Sequence, residues 1–143
     1  MLVGKPHIEN FLPQRAPIVM VDELLEASTE HAITRFEIRS NTLFVEKNFL
    51  TEAGLIENIA QTAAAQAGYL AQQQGVATPV GFIASINDLK ILESPTVGVV
   101  LTTSISVINR VFEVIIIQAQ TKQDMRELCS CQMKIFIKPQ DRA

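Results

Sequence analysis

AGLIENIAQTAAAQAGYLAQQQG, residues 53–75, holds no proline, is dominated by Ala and Gln, and ends on Gly75. That composition predicts one uninterrupted helix with the glycine as its left-handed cap. At about 1.5 Å per residue the rod is roughly 30 Å long, the diameter of a small domain. Leu55, Ile59, Ala63, Ala67 and Leu70 recur at helical spacing, and Ile56, Ala60, Ala64, Gly68 and Ala71 widen the stripe. Most of these side chains are small, so a sheet could approach closely. A membrane span would need about 20 predominantly apolar residues, whereas Gln61, Thr62, Gln66 and Gln72 to Gln74 interrupt this run. The helix is expected to lie inside a protein with no membrane partner. No charged residue occurs from Asn58 through Asn87, which leaves Glu57, one turn inside the helix, as the residue in need of an explanation.

The 143 residues, 48% hydrophobic and 19% charged, suit a single domain, 1–143, with a sizeable core. A net charge of -3 argues against a nucleic-acid footprint. MLVGKPHIEN at the start lacks the apolar core of a signal peptide. Cys129 and Cys131 fall on the same face of one strand, about 7 Å apart and too far for an unstrained disulfide. Buried thiols in a cytoplasmic protein are expected. Two His and two Cys far apart in sequence assemble no zinc spacing, and no glycine-rich phosphate loop occurs. Neither metal nor cofactor is expected.

Around the helix the chain reads as strands. Residues 7–11 form a short helix ended by Pro13. Residues 18–26 (IVMVDELLE) and 32–38 (AITRFEI) read as two strands joined by a polar turn, and 41–52 is irregular. Thr51 is the predicted N-cap of the long helix, with Glu52 complementing its dipole. Residues 79–92 are apolar on both parities around Phe82 and Ile86, as in a strand interior to a sheet. Residues 99–107, 112–121 and 127–137 follow as strands, with turns at Asn109–Arg110 and Gln123–Asp124. The order predicts an α+β fold with an antiparallel sheet. A strongly curved sheet of about six strands wrapped around the helix, the hotdog arrangement, meets every face requirement.

NFLPQRAPIVMVDELLE (residues 10–26) resembles the opening LPHR-x-P-x-x-x-VD of beta-hydroxyacyl-acyl carrier protein dehydratases, and GLIENIAQ (54–61) resembles the start of their helix. The resemblance rests most on Glu57 with Ala60–Gln61, supported by Pro13, Arg15, Pro17 and Asp22, and spans nearly the whole chain. The shorter loop before the helix is similar to a divergent branch, the dehydratase-like proteins of polyene-type pigment clusters. In the family a His removes the proton alpha to a thioester and a helix carboxyl handles the departing hydroxyl. The loop that carries this His reads EKNFLTEAG here, with Asn48 nearest its place, and Gln14 replaces the LPHR histidine. His7 and His31 match neither position.

The resemblance therefore implies Glu57 as the catalytic carboxyl and Asn48, Gly54, Leu55 and Gln61 as substrate contacts. Orphan amides at the helix start would polarise the carbonyl, and a carboxyl in an apolar setting can act as acid or base. The plainer reading of Glu57 is a residue paired with Arg or a backbone amide at a mouth or interface. Arg15 and Asp22 are expected to fix the N-terminal segment, and Tyr69 to sit in the core or line a tunnel. The expected protein acts on or binds acyl thioesters of acyl carrier protein or coenzyme A in fatty-acid or polyene-type synthesis, as a dehydratase left weak or inactive without the His. A hotdog thioesterase, with Glu57 activating water, and a non-catalytic acyl-binding or partner subunit stand beside it. Acyl carrier protein and a second copy, in a homodimer or higher multiple, are the expected partners.

Overall fold

A computed structural model describes residues 1–138. A short 3-10 helix, Lys5–Phe11, leads to β1 (Glu23–Ala27) and β2 (His31–Glu37). A two-residue hairpin, β3 (Val45–Glu46) and β4 (Phe49–Leu50), precedes α1 (Glu52–Gln73). Four long strands follow: β5 (Val80–Ile91), β6 (Val100–Val111), β7 (Val114–Gln123) and β8 (Arg126–Lys138). β1, β2, β6, β7, β8 and β5 form, in that order, one antiparallel sheet wrapped around α1, the hotdog arrangement.

Local chemistry fixes the ends of α1. The Gly54 amide donates to the Thr51 hydroxyl at 3.4 Å and the Leu55 amide to the Thr51 carbonyl at 3.1 Å. At the other end Gly75, at φ 71, lets Val76 N–H reach Ala71 O and its own N–H reach Gln72 O. These two bonds make a Schellman stop.

Leu55, Ile59 and Ala63 are buried against Leu101, Ile105, Ile117 and Met133 of the sheet. A polar seam runs through this core. The Asn58 amide donates to Met20 O (2.8 Å) and its carbonyl accepts from the Thr103 hydroxyl (2.6 Å), which is bonded in turn to Thr121 (2.9 Å). Thr62 links α1 to Thr34 of β2 at 2.7 Å. All are fully buried and mutually satisfied, so the seam sets the helix's register on the sheet without leaving an orphan.

Four expectations need correction. Residues 18–22 are not strand: Gln61 accepts from Met20 N–H and donates to Ile18 O, so helix side chains take the place of a neighbouring strand. The hairpin turns fall later: the first is at Phe112–Glu113, because a bulge between Val107 and Asn109 lengthens β6, and the second, at Asp124–Met125, is shifted by one residue. Phe112 and Asp124 take positive φ at the first loop position, as a two-residue hairpin requires. β5 is an edge, not an interior strand. Finally, the missing side chain at Gly68 makes room for the N-terminal segment rather than the sheet: a Cβ there would fall on the Phe11 carbonyl.

Candidate active site

A cleft of about 240 Å³ opens between α1 and the β8–β5 edge, walled by Ala60, Ala64, Gly81, Phe82, Ile83, Ile135 and Ile137. Among the described residues Glu57 is the only titratable side chain in its lining and Gln14 the only other polar one. Glu57 reaches the cleft because it lies one turn before Ala60 and two before Ala64 on the stripe turned toward β5. Its Oε1 accepts from Gln61 Nε2 at 3.0 Å. Gln61 is itself fully buried, its amide also bonded to Ile18 O (2.8 Å) and Met20 N (2.6 Å), so the partner that orients Glu57 is locked to the backbone. A second cavity, about 230 Å³, shares Ile137 and continues along α1 past Ala67 and Leu70 to Phe112.

Of the residues singled out from sequence, Glu57 alone lines the cleft. Gly54 and Leu55 are in the core, their amides already donating to Thr51, and a Cβ on Gly54 would collide with Leu50 and Phe44. Asn48 is exposed at the β3–β4 turn with φ 71, where its carbonyl accepts from Val97 N–H. His7 is exposed on the 3-10 helix, and His31 is exposed at the start of β2 against Ser28 and Glu26. Tyr69 packs on Phe11, ring centroids 5.9 Å apart, away from both cavities. Asp22 accepts from Arg39 (2.8 Å) and from Glu37 N–H (2.9 Å), and this pairing raises the Arg39 pKa. Arg15 donates to the carbonyls of Glu9, Leu12 and Gln14. The thiols are no nucleophiles: burial pushes Cys129 up and Cys131 up to about 11.

Sequence reasoning missed the far wall of the cleft. Gly81, Phe82 and Ile83 on β5 meet Ile135 and Ile137 on β8 only through long-range pairing. The available signal was apolarity on both parities of residues 79–92, which marked a strand with two faces to cover.

One carboxyl in an apolar cleft between the central helix and the edge of a curved antiparallel sheet defines the class, a hotdog protein of the dehydratase-like, acyl-thioester kind. Residues 6–143 match the ApeP-like family, described as ApeP dehydratase, and the chain belongs to that family. No curated protein matches it. Among solved structures it is similar to the dehydratase heterocomplex ApeI:P from Xenorhabdus doucetiae (TM-score 0.86, 16% identity, 94% of this chain and 91% of that one). It is also similar to a hypothetical thioesterase with coenzyme A from Streptococcus pneumoniae TIGR4 (0.65, 12%, 84% and 90%). A third likeness is to smu.793 from Streptococcus mutans, bound to acetyl-CoA (0.66, 11%, 91% and 97%). At these identities the likenesses establish the fold. No helix of the described residues is long and apolar enough to cross a membrane.

Proposed function

We propose that the chain handles 3-hydroxyacyl thioesters, carried by acyl carrier protein or coenzyme A, as one half of a cytoplasmic two-subunit dehydratase in fatty-acid or polyene-type synthesis. The observation that carries this reading is a lone carboxyl, Glu57, on an apolar cleft that opens beside an unpaired strand edge. The acyl chain would run along α1 from Glu57 toward Leu70. Dehydration breaks the C2–H and C3–O bonds, forms C2=C3 and releases water. Glu57 gives its proton to the departing hydroxyl, while a base must take the C2 proton, and among the described residues the cleft lining holds no such second group. A second hotdog subunit along β5 is the natural source of that base. A similar fold occurs in a dehydratase heterocomplex, which supports the two-subunit reading.

The test is hydration of a crotonyl-type thioester, beside thioester hydrolysis, by the wild type and Glu57→Gln, each alone and with a His-bearing hotdog partner. The chain alone should bind the thioester and hydrate it poorly. The complex should hydrate it, and Glu57→Gln should lower that rate about 10²–10⁴-fold. Robust hydration by the chain alone would place the base within it. Hydrolysis outrunning hydration would make the protein a thioesterase, and equal rates in the two variants would remove Glu57 from the chemistry.

A further inference from the structure

Gln14 poses a question that the reaction scheme leaves open. It stands in the segment between the 3-10 helix and β1, and that segment is clamped on both sides. Arg15 Nη1 donates to the carbonyls of Leu12 and Gln14, both at 2.7 Å, and Gln61 holds Ile18 and Met20. The backbone of Gln14 is thereby fixed, and the residue lines the same cleft as Glu57. Its Oε1 is buried with no hydrogen-bond partner among the described residues, and no other buried side-chain oxygen or nitrogen among them shares that condition. A buried acceptor left unpaired is costly, and each such group calls for an explanation. The apolar side chains that wall the cleft have no proton to offer.

We propose that Gln14 is the residue that reads the 3-hydroxyl of the substrate, its side-chain carbonyl accepting the O–H while Glu57 delivers a proton to the same oxygen. This rests on the 3-hydroxyacyl reading given above. A hydroxyl carries one donor and two acceptor lone pairs, so one oxygen can serve both residues at once. The terminal torsion of a glutamine is broad, and the amide can turn toward an occupant of the cleft without leaving its backbone anchor. The consequence is directional. The enoyl product has no donor at C3, so dehydration returns Gln14 to its unpaired state and weakens the grip on product. A site built to hydrogen-bond a hydroxyl discriminates against the analogue that lacks it.

The experiment compares binding of 3-hydroxybutyryl-pantetheine and butyryl-pantetheine, both as amide-linked analogues, by titration calorimetry on the full chain. The wild type should prefer the hydroxy analogue by about tenfold, the value of one modest hydrogen bond. Gln14→Leu should erase that preference while keeping the affinity for the butyryl analogue, and Gln14→Glu, which retains an acceptor, should restore it. Gln14→Met takes the place of the leucine variant should that fail to fold. A preference surviving in Gln14→Leu or Gln14→Met overturns the assignment, as does equal loss for both analogues, which would mean that Gln14 contacts the pantetheine. A wild type that binds neither analogue would sink the acyl-thioester reading itself, a different result from lost selectivity.

Discussion

Gly68→Ala places one methyl on the carbonyl of Phe11, where the N-terminal 3-10 helix crosses α1. Two effects oppose each other. Alanine favours the helix over glycine by about 1 kcal/mol. The obstacle is backbone and cannot rotate aside, so the overpacking cost lies near the upper end of the usual range, about 3 kcal/mol. The balance is a loss of about 2 kcal/mol, which for a chain of this size lowers the melting temperature by roughly 4–8 °C. Thermal unfolding followed by circular dichroism reads it directly. A residue facing solvent would give the opposite sign, since helix propensity would act alone. A melting temperature that rises in Gly68→Ala therefore refutes the close crossing, and with it the placement of the segment that carries Gln14.

Three further outcomes follow from the same structure. Ala64 is buried but borders the cleft, so Ala64→Leu should fill the cavity and abolish acyl-analogue binding while the melting temperature stays within a few degrees; retained binding would place the acyl group elsewhere. Phe82 and Ile83, 55% and 40% exposed on the β5 edge, are an unusual apolar display for an unpaired strand. Light scattering should find a dimer or higher multiple for the wild type and a smaller species for Phe82→Glu/Ile83→Lys; a monomeric wild type would defeat the paired edge. Cys131, held neutral by burial up to about 11 against 9.0 in an unfolded chain, favours the fold fully below pH 9. As pH rises from 9 toward 11 the unfolded thiol ionises first, so stability on the order of 2–3 kcal/mol drains away across that window. Cys131→Ala should flatten this part of the pH–stability curve.

What was legible in the sequence was local. Thr51, the Ala-rich run and Gly75 placed α1 within about two residues, because caps and propensity act over a few positions. The shared face of Cys129 and Cys131 on β8 was legible for the same reason. Glu57 stood out as the last charge before a long uncharged stretch. Residues 18–22 misled because their apolar pattern is that of a strand, while the groups that satisfy their backbone come from Gln61 and Asn58, some 40 positions away. Thr103 likewise sat at an inward position among apolar neighbours with nothing to say that Asn58 and Thr121 would meet its hydroxyl. The cleft was half visible: its helix wall follows from spacing, its strand wall only from pairing between β5 and β8.

Gln61 separates a structural role from a chemical one most sharply. The family resemblance casts it as a substrate contact, yet its amide is fully buried and every polar atom is engaged, with Met20 N–H, Ile18 O and Glu57. Gln61→Leu keeps the volume and strips three hydrogen bonds, leaving the buried Met20 N–H and the half-buried Ile18 carbonyl unpaired. At about 1–3 kcal/mol for each orphaned group, the loss is about 2–6 kcal/mol, a large share of the stability of an ordinary domain. Glu57→Gln, by contrast, keeps an oxygen acceptor for Gln61 Nε2 and should melt like the wild type. Chemical denaturation of the two variants side by side is the measurement. Gln61→Leu unfolding at wild-type denaturant concentration would free Gln61 from its structural duty and return it to the list of substrate contacts. A large loss confined to Gln61→Leu means instead that this side chain holds residues 18–20 against α1 and, through the same amide, holds Glu57 at the cleft.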